Sequence, residues 1–138
     1  MKKWIILLLI FPMMSFAMDL TTPMIPTEPT TTQMINRWSD YENVSPYLIL
    51  RIADCESGGT HYDTNGKVLT GEVNPQDVGI MQINLRYHGE HAKSLGFDVF
   101  QESDNIHFGI YLIKTGGAMR YYSASAACWG SDRLLTIK

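Results

Sequence analysis

The stretch Ser-Pro-Tyr-Leu-Ile-Leu-Arg-Ile-Ala-Asp-Cys-Glu-Ser at residues 45–57, followed by Gly58-Gly59, constrains the fold more than any other. Ile49, Ile52, Ala53 and Glu56 fall at i, i+3, i+4 and i+7, one stripe of an α-helix. Ser45 supplies an N-cap, Pro46 a first helical residue that needs no N–H, and Gly58 a left-handed stop, so the helix is bounded at about three turns. The last member of the stripe is a carboxylate. Burial there strips hydration, disfavours the charged form and raises the pKa toward the range useful for a general acid. A solvent-facing Glu in the last turn fits the same residues, and this stretch leaves both readings open.

The helix must find its core within a short chain. Residues 1–17, "MKKWIILLLIFPMMSFA", combine two lysines, an apolar run of about ten residues and a small-residue ending, and read as a secretory signal peptide. A retained N-terminal anchor is the competing reading, and no Cys follows the expected cleavage point to accept a lipid. Residues 18–33 are rich in Thr and Pro with little charge and read as an extended linker. That leaves 34–138 for one small domain without internal repeats, expected as a monomer. Loss of 1–17 removes two lysines and no acids, taking the formal net charge from −3 to −5. A mildly acidic protein has no long-range attraction for nucleic acid or anionic membrane, so its partner is recognised by a shaped site. Export places it in the periplasm or outside the cell, where Cys55 and Cys128 are expected to form a disulfide. Closing that loop restricts the unfolded chain by roughly 4.5 kcal/mol in the entropic model. One buried thiol and one surface thiol is the alternative.

Helical spacing returns in "GIMQINLRYHGEHAKSLG", ended by Gly96, and in "IHFGIYLIKTGG", capped by Asp104 or Asn105 and ended by Gly116. The tail "MRYYSASAACWG" reads as a last short helix, and "KVLTGEV" as the edge of a small hairpin. The fold class is therefore mainly α, four to six short helices on one core, with at most a minimal β-hairpin. No metal or other cofactor is expected. His88-Gly-Glu-His91 lacks the His-Glu-x-x-His spacing, and the calcium-like run Asp63, Asn65, Gly66, Glu72 begins at His61, where an oxygen ligand is needed.

Glu56-Ser57-Gly58-Gly59, then "NPQDVGIMQIN" at 74–84, "DNIHFGIYL" at 104–112 and "SASAACWG" at 123–130 together resemble the soluble lytic transglycosylases and their goose-lysozyme-like relatives, the transglycosylase SLT-like domain. The resemblance implies a lysozyme-like α-helical domain, Glu56 as the catalytic residue, and Ser57, Met81, Gln82, Tyr111 and Trp129 as contacts to the glycan. Two features depart from the family pattern. Tyr111 follows Gly109 by two residues where the family has three, and Ala127-Cys128-Trp129 stands where Ala-Tyr-Asn is usual. The role of the family tyrosine beside the Glu is left open among Tyr121, Tyr122 and Trp129, with core packing the alternative for each aromatic.

The implied substrate is the peptidoglycan glycan strand. Glycosidases normally use two carboxylates, but one suffices when the muramoyl 6-hydroxyl attacks its own anomeric carbon, giving a 1,6-anhydromuramoyl end. Glu72 and Asp77 are the nearby acids available as a second carboxylate, with turn capping their other role. A hydrolytic muramidase and a non-catalytic glycan-binding module are the competing functions. The residues leave the setting open, including partnership with an envelope-spanning secretion, conjugation or pilus apparatus.

Overall fold

The helix bounded by Ser45 and Gly58 forms as its end signals dictate. In the computed structural model, which describes residues 27–130, it spans Pro46–Ser57 and is here α2. The Ser45 hydroxyl accepts from Leu48 N–H, Gly58 closes the helix at φ 65°, and Ile49, Ile52 and Ala53 are buried. The expected signal peptide, 1–17, and residues 131–138 lie outside the described residues.

Helix α1, Thr31–Glu42, precedes α2, so the boundary expected at 33/34 falls inside a helix. A capping box explains the earlier start: the Thr30 hydroxyl accepts from Gln33 N–H, while the Gln33 side chain accepts from Thr30 N–H. Helix α4, Glu102–Gly116, runs through the centre of the domain and buries Ile106, Phe108, Ile110, Leu112 and Ile113. Helix α1 lies against it, tied by Thr31 to Glu102 and by Trp38 Nε1 to Ser103 at 2.9 Å. Neither Asp104 nor Asn105 caps α4. The helix starts after Gln101 without a side-chain cap, and its acidic first turn, Glu102 and Asp104, suits the positive end of the helix dipole.

Between α2 and α4 the chain forms one antiparallel pair, β1 (Asp77–Val78) with β2 (Ile83–Asn84), in register Asp77 to Asn84 and Val78 to Ile83. The hairpin expected over Lys67–Val73 is reduced to single bridges, Tyr62 with Val68 and Thr70 with Val78. Helix α3, Leu85–Ser94, starts later than the helical spacing from Gly79 predicts. Gly79 and Gln82 take left-handed φ values of 71° and 45°, which a helix cannot hold, and the Asn84 side chain caps Tyr87 N–H. Apolar residues at 80, 81 and 83 are all buried, so their spacing cannot separate a buried turn from a helix. After α4 come α5 (Ala118–Tyr121), a 3-10 turn (Ser123–Ser125) and α6 (Ala126–Trp129). The fold is mainly α with a minimal two-stranded sheet. Among the described residues no helix is long and apolar enough to cross a membrane.

Candidate active site

Two depressions, of about 310 and 430 Å³, meet over the C-terminal end of α2 and share Glu56, Asp77 and Gln82 as walls. Glu56 is half-buried at that junction. The Ser125 hydroxyl donates to Glu56 Oε1 at 2.5 Å. Burial pushes the Glu56 carboxyl above its usual range, the Ser125 hydrogen bond opposes this, and the negative charge of Asp77 adds to the rise. No cation forms an ion pair with it among the described residues.

The segment facing Glu56 is held by side chains rather than by a ladder. Asn105, fully buried on α4, accepts Met81 N–H at 2.9 Å and donates to the carbonyls of Val78 at 2.9 Å and Val99 at 2.8 Å. Both N–H donors of its amide and its oxygen are thereby engaged. His61 works beside it: Nδ1 accepts Ile80 N–H at 3.2 Å, which leaves the proton on Nε2 to donate to the Phe100 carbonyl at 3.0 Å. Gly79 threads between them, since an added Cβ would stand 2.5 Å from His61 Cε1 and 2.6 Å from Asn105 Nδ2. The outcome is a fixed strained turn ending at Gln82, whose Nε2 donates to the Gly79 carbonyl at 2.8 Å. Asp77 faces the same space and accepts from Asn84 Nδ2 at 2.6 Å, a cross-strand pair rather than the turn cap.

The residues expected at the site separate into two groups. Glu56 and Gln82 line both halves of the cleft, and Ser57, whose hydroxyl donates back to the Ala53 carbonyl, lines the larger. Met81, Tyr111 and Trp129 line neither half. Met81 is fully buried against Gly109, where an added Cβ would stand 2.8 Å from its Cγ. Tyr111 stacks on Phe108 with centroids 6.0 Å apart, and Trp129 donates Nε1–H to the Tyr122 carbonyl at 2.8 Å. Of the three aromatics left open for the place beside Glu56, Tyr122 is the buried one that lines the cleft. Its phenol has no hydrogen-bond partner among the described residues, and burial followed by the charge of Glu56 raises its pKa.

Ser125 has no signature in the sequence around it. Its one clue is the bridge between Cys55 and Cys128, Cα atoms 6.0 Å apart, which sets the neighbours of each cysteine side by side. Arg51 Nη2, donating to the Cys128 carbonyl at 2.9 Å, fastens the same seam. No group of three or more metal-ligating side chains occurs among the described residues, and the Asp63 carboxylate is turned onto the N–H groups of Asn65 and Lys67.

Comparison with curated proteins and with solved structures returns no match. A family model described as the transglycosylase SLT domain matches residues 33–124, a span that holds most of α1, all of α2 to α5, the strained turn and Glu56, and ends just before Ser125. With that match covering most of the described domain, the chain belongs to the transglycosylase SLT family, whose members generally cleave glycosidic bonds.

Proposed function

We propose that the domain cleaves the β-1,4 bond between N-acetylmuramoyl and N-acetylglucosaminyl units of peptidoglycan and leaves a 1,6-anhydromuramoyl end. The observation that carries this reading is the state of Glu56: a half-buried carboxyl at the meeting point of two cleft halves, with a hydroxyl donor and a raised pKa. Such a group holds a proton that it can deliver. Protonated Glu56 gives its proton to the bridging oxygen as the anomeric C–O bond breaks. The muramoyl 6-hydroxyl then bonds to the anomeric carbon, and the Glu56 carboxylate takes the hydroxyl proton, restoring the acid. Intramolecular attack draws on the high effective molarity of a held nucleophile, so a second carboxylate is unnecessary.

Ser57 and Gln82 contact the glycan directly in this scheme. Met81, Tyr111 and Trp129 act from behind the cleft wall, by packing. The Cys55–Cys128 bridge supports an oxidising, extracytoplasmic location. The test is mass spectrometry of purified peptidoglycan after incubation with the parent and with Glu56→Gln. The parent should release anhydro-ended fragments and the variant should lose at least about 10² in turnover. More than a tenth of parental turnover in the variant would remove Glu56 as the acid.

Asp77 favours a second reading, hydrolysis, because its carboxylate shares the cleft with Glu56 and is available to activate water. Reducing ends that disappear with Asp77→Asn would establish that outcome.

A further inference from the structure

Beyond Glu56 and Asp77, which both cleft halves share, the two halves differ in charge. The half under residues 69–74 adds Glu72 and no cation, whereas the half under α3 and α5 adds Arg120 and His88. Burial, and then the neighbouring His91, hold His88 below the usual histidine pKa, so Arg120 is the cation of that half near neutral pH. Arg120 has no ion-pair partner among the described residues. Its guanidinium carbon lies 5.7 Å from the centroid of the Tyr121 ring. That ring is itself pinned: His88 meets it edge-on at 5.5 Å, and it rests on Gly116, where an added Cβ would collide with it. Stacking restrains the guanidinium without using its N–H groups.

We propose that the Arg120 wall binds a carboxylate carried on the muramoyl sugar, so that the cleft reads the strand's substituent as well as its glycan backbone. This rests on the peptidoglycan reading given above. A muramoyl unit bears a lactyl group at O3, which ends in a free carboxylate on a bare strand and continues into an acidic peptide on a substituted one. An incoming carboxylate is repelled by Asp77 between the halves and by Glu72 in the far half. Arg120, with its planar two-pronged donor set, matches a carboxylate and draws it to the α5 side. The glycan is thereby oriented: the acid-bearing sugar faces α5, and the neutral sugar lies toward residues 69–74.

The test uses Glu56→Gln protein, which binds without turnover, and compares it with the same protein carrying Arg120→Gln or Arg120→Lys. Calorimetric titration is run with a neutral N-acetylglucosamine tetramer, a bare muramoyl-containing tetrasaccharide and its peptide-bearing form. Arg120→Gln should cut the preference for acidic over neutral ligand about tenfold, the size of one charge-assisted hydrogen-bond pair. Arg120→Lys should regain part of it, and the preference should weaken with added salt. Loss on the bare strand assigns the lactyl carboxylate, and loss confined to the peptide-bearing ligand assigns the peptide. Equal losses on all three ligands, or none, in a variant with parental melting behaviour would overturn the proposal alone. Failure of the Arg120-bearing protein to bind any of the three would overturn the peptidoglycan reading and this inference with it.

Discussion

Glu42 and Glu56 hold nearly equivalent places, the last residue of α1 and the last but one of α2, and the tertiary structure treats them in opposite ways. Both sit at helix ends where exposed carbonyls disfavour a negative charge. Glu42 is answered by an ammonium and an imidazole: Lys114 Nζ is 2.7 Å from one oxygen and His107 Nε2 is 2.8 Å from the other. The Lys114 hydrogen bond, helped by His107 and opposed by burial, holds the Glu42 carboxyl below its usual range. Glu56 is answered by a hydroxyl and faces a second carboxylate, and burial pushes it up. A carboxylate paired with Lys114 and His107 fastens α1 to α4, while burial of one left with a single neutral donor favours its acid form. Chain position is the same in both cases, and the partner delivered by distant sequence decides the role.

The largest expected effect breaks or confirms that contrast in activity. Glu56→Gln should lower glycan turnover by about 10² or more, whereas Glu42→Gln should leave it close to parental. A tenfold or greater fall in folded Glu42→Gln protein would erase the distinction.

Stability should show the opposite order. Glu42→Gln should cost about 1 kcal/mol near neutral pH, since Lys114 is half-exposed and its ion pair is partly screened. A depressed carboxyl pKa contributes stability that is present above the unfolded value and lost as pH falls through the folded one. The penalty of Glu42→Gln should therefore fade in acid. Glu56 has the reverse sign: its raised pKa contributes stability that is present below the unfolded value and lost as pH rises through the folded one. Glu56→Gln should be no less stable than the parent at neutral pH, with any advantage closing in acid. Denaturant unfolding of both variants across the acid range measures the two slopes, and slopes of the same sign would contradict the comparison.

The smallest effects concern the surroundings of Glu56. Removing the Ser125 donor in Ser125→Ala should move the alkaline limb of the pH–activity profile upward, because that hydrogen bond favours the carboxylate. Asp77→Asn should move it downward, because the lost charge had favoured the acid. A shift of either variant in the direction opposite to its own expectation would remove that group's electrostatic action on Glu56.

Local signals carried α2 entirely: its caps and apolar stripe lie within residues 45–58, and the helix follows them. The start of α1 was hidden because Thr30 and its box partner Gln33 sit in a run of threonines that reads as low complexity. Asn105 looked like a cap and proved to be an internal brace, a role fixed by carbonyls at 78 and 99 that no local pattern reveals. Of the residues the motifs single out, Glu56, Ser57 and Gln82 line the candidate cleft, yet Met81 turns inward onto Gly109. Tyr122 could not be separated from Tyr121 or Trp129 by spacing, because all three are aromatics of one short tail, and its burial against the cleft distinguishes it. Ser125 reaches Glu56 across 69 residues of sequence, a contact set by the fold and the disulfide together.

His61 and Asn105 brace the two ends of the excursion that forms the far wall of the cleft through their side chains, and the His61 carbonyl also accepts Leu69 N–H at 2.8 Å from within it. Residues 63–76, with Val73 almost wholly exposed at 99%, hang from these braced ends and from backbone bonds at Leu69 and Gly71. The excursion behaves as an interchangeable part. A change in its length or sequence would then reshape that wall while the turn that faces Glu56 keeps its register. The outline of the cleft and the placement of Glu56 are thereby set by separate parts of a single small domain.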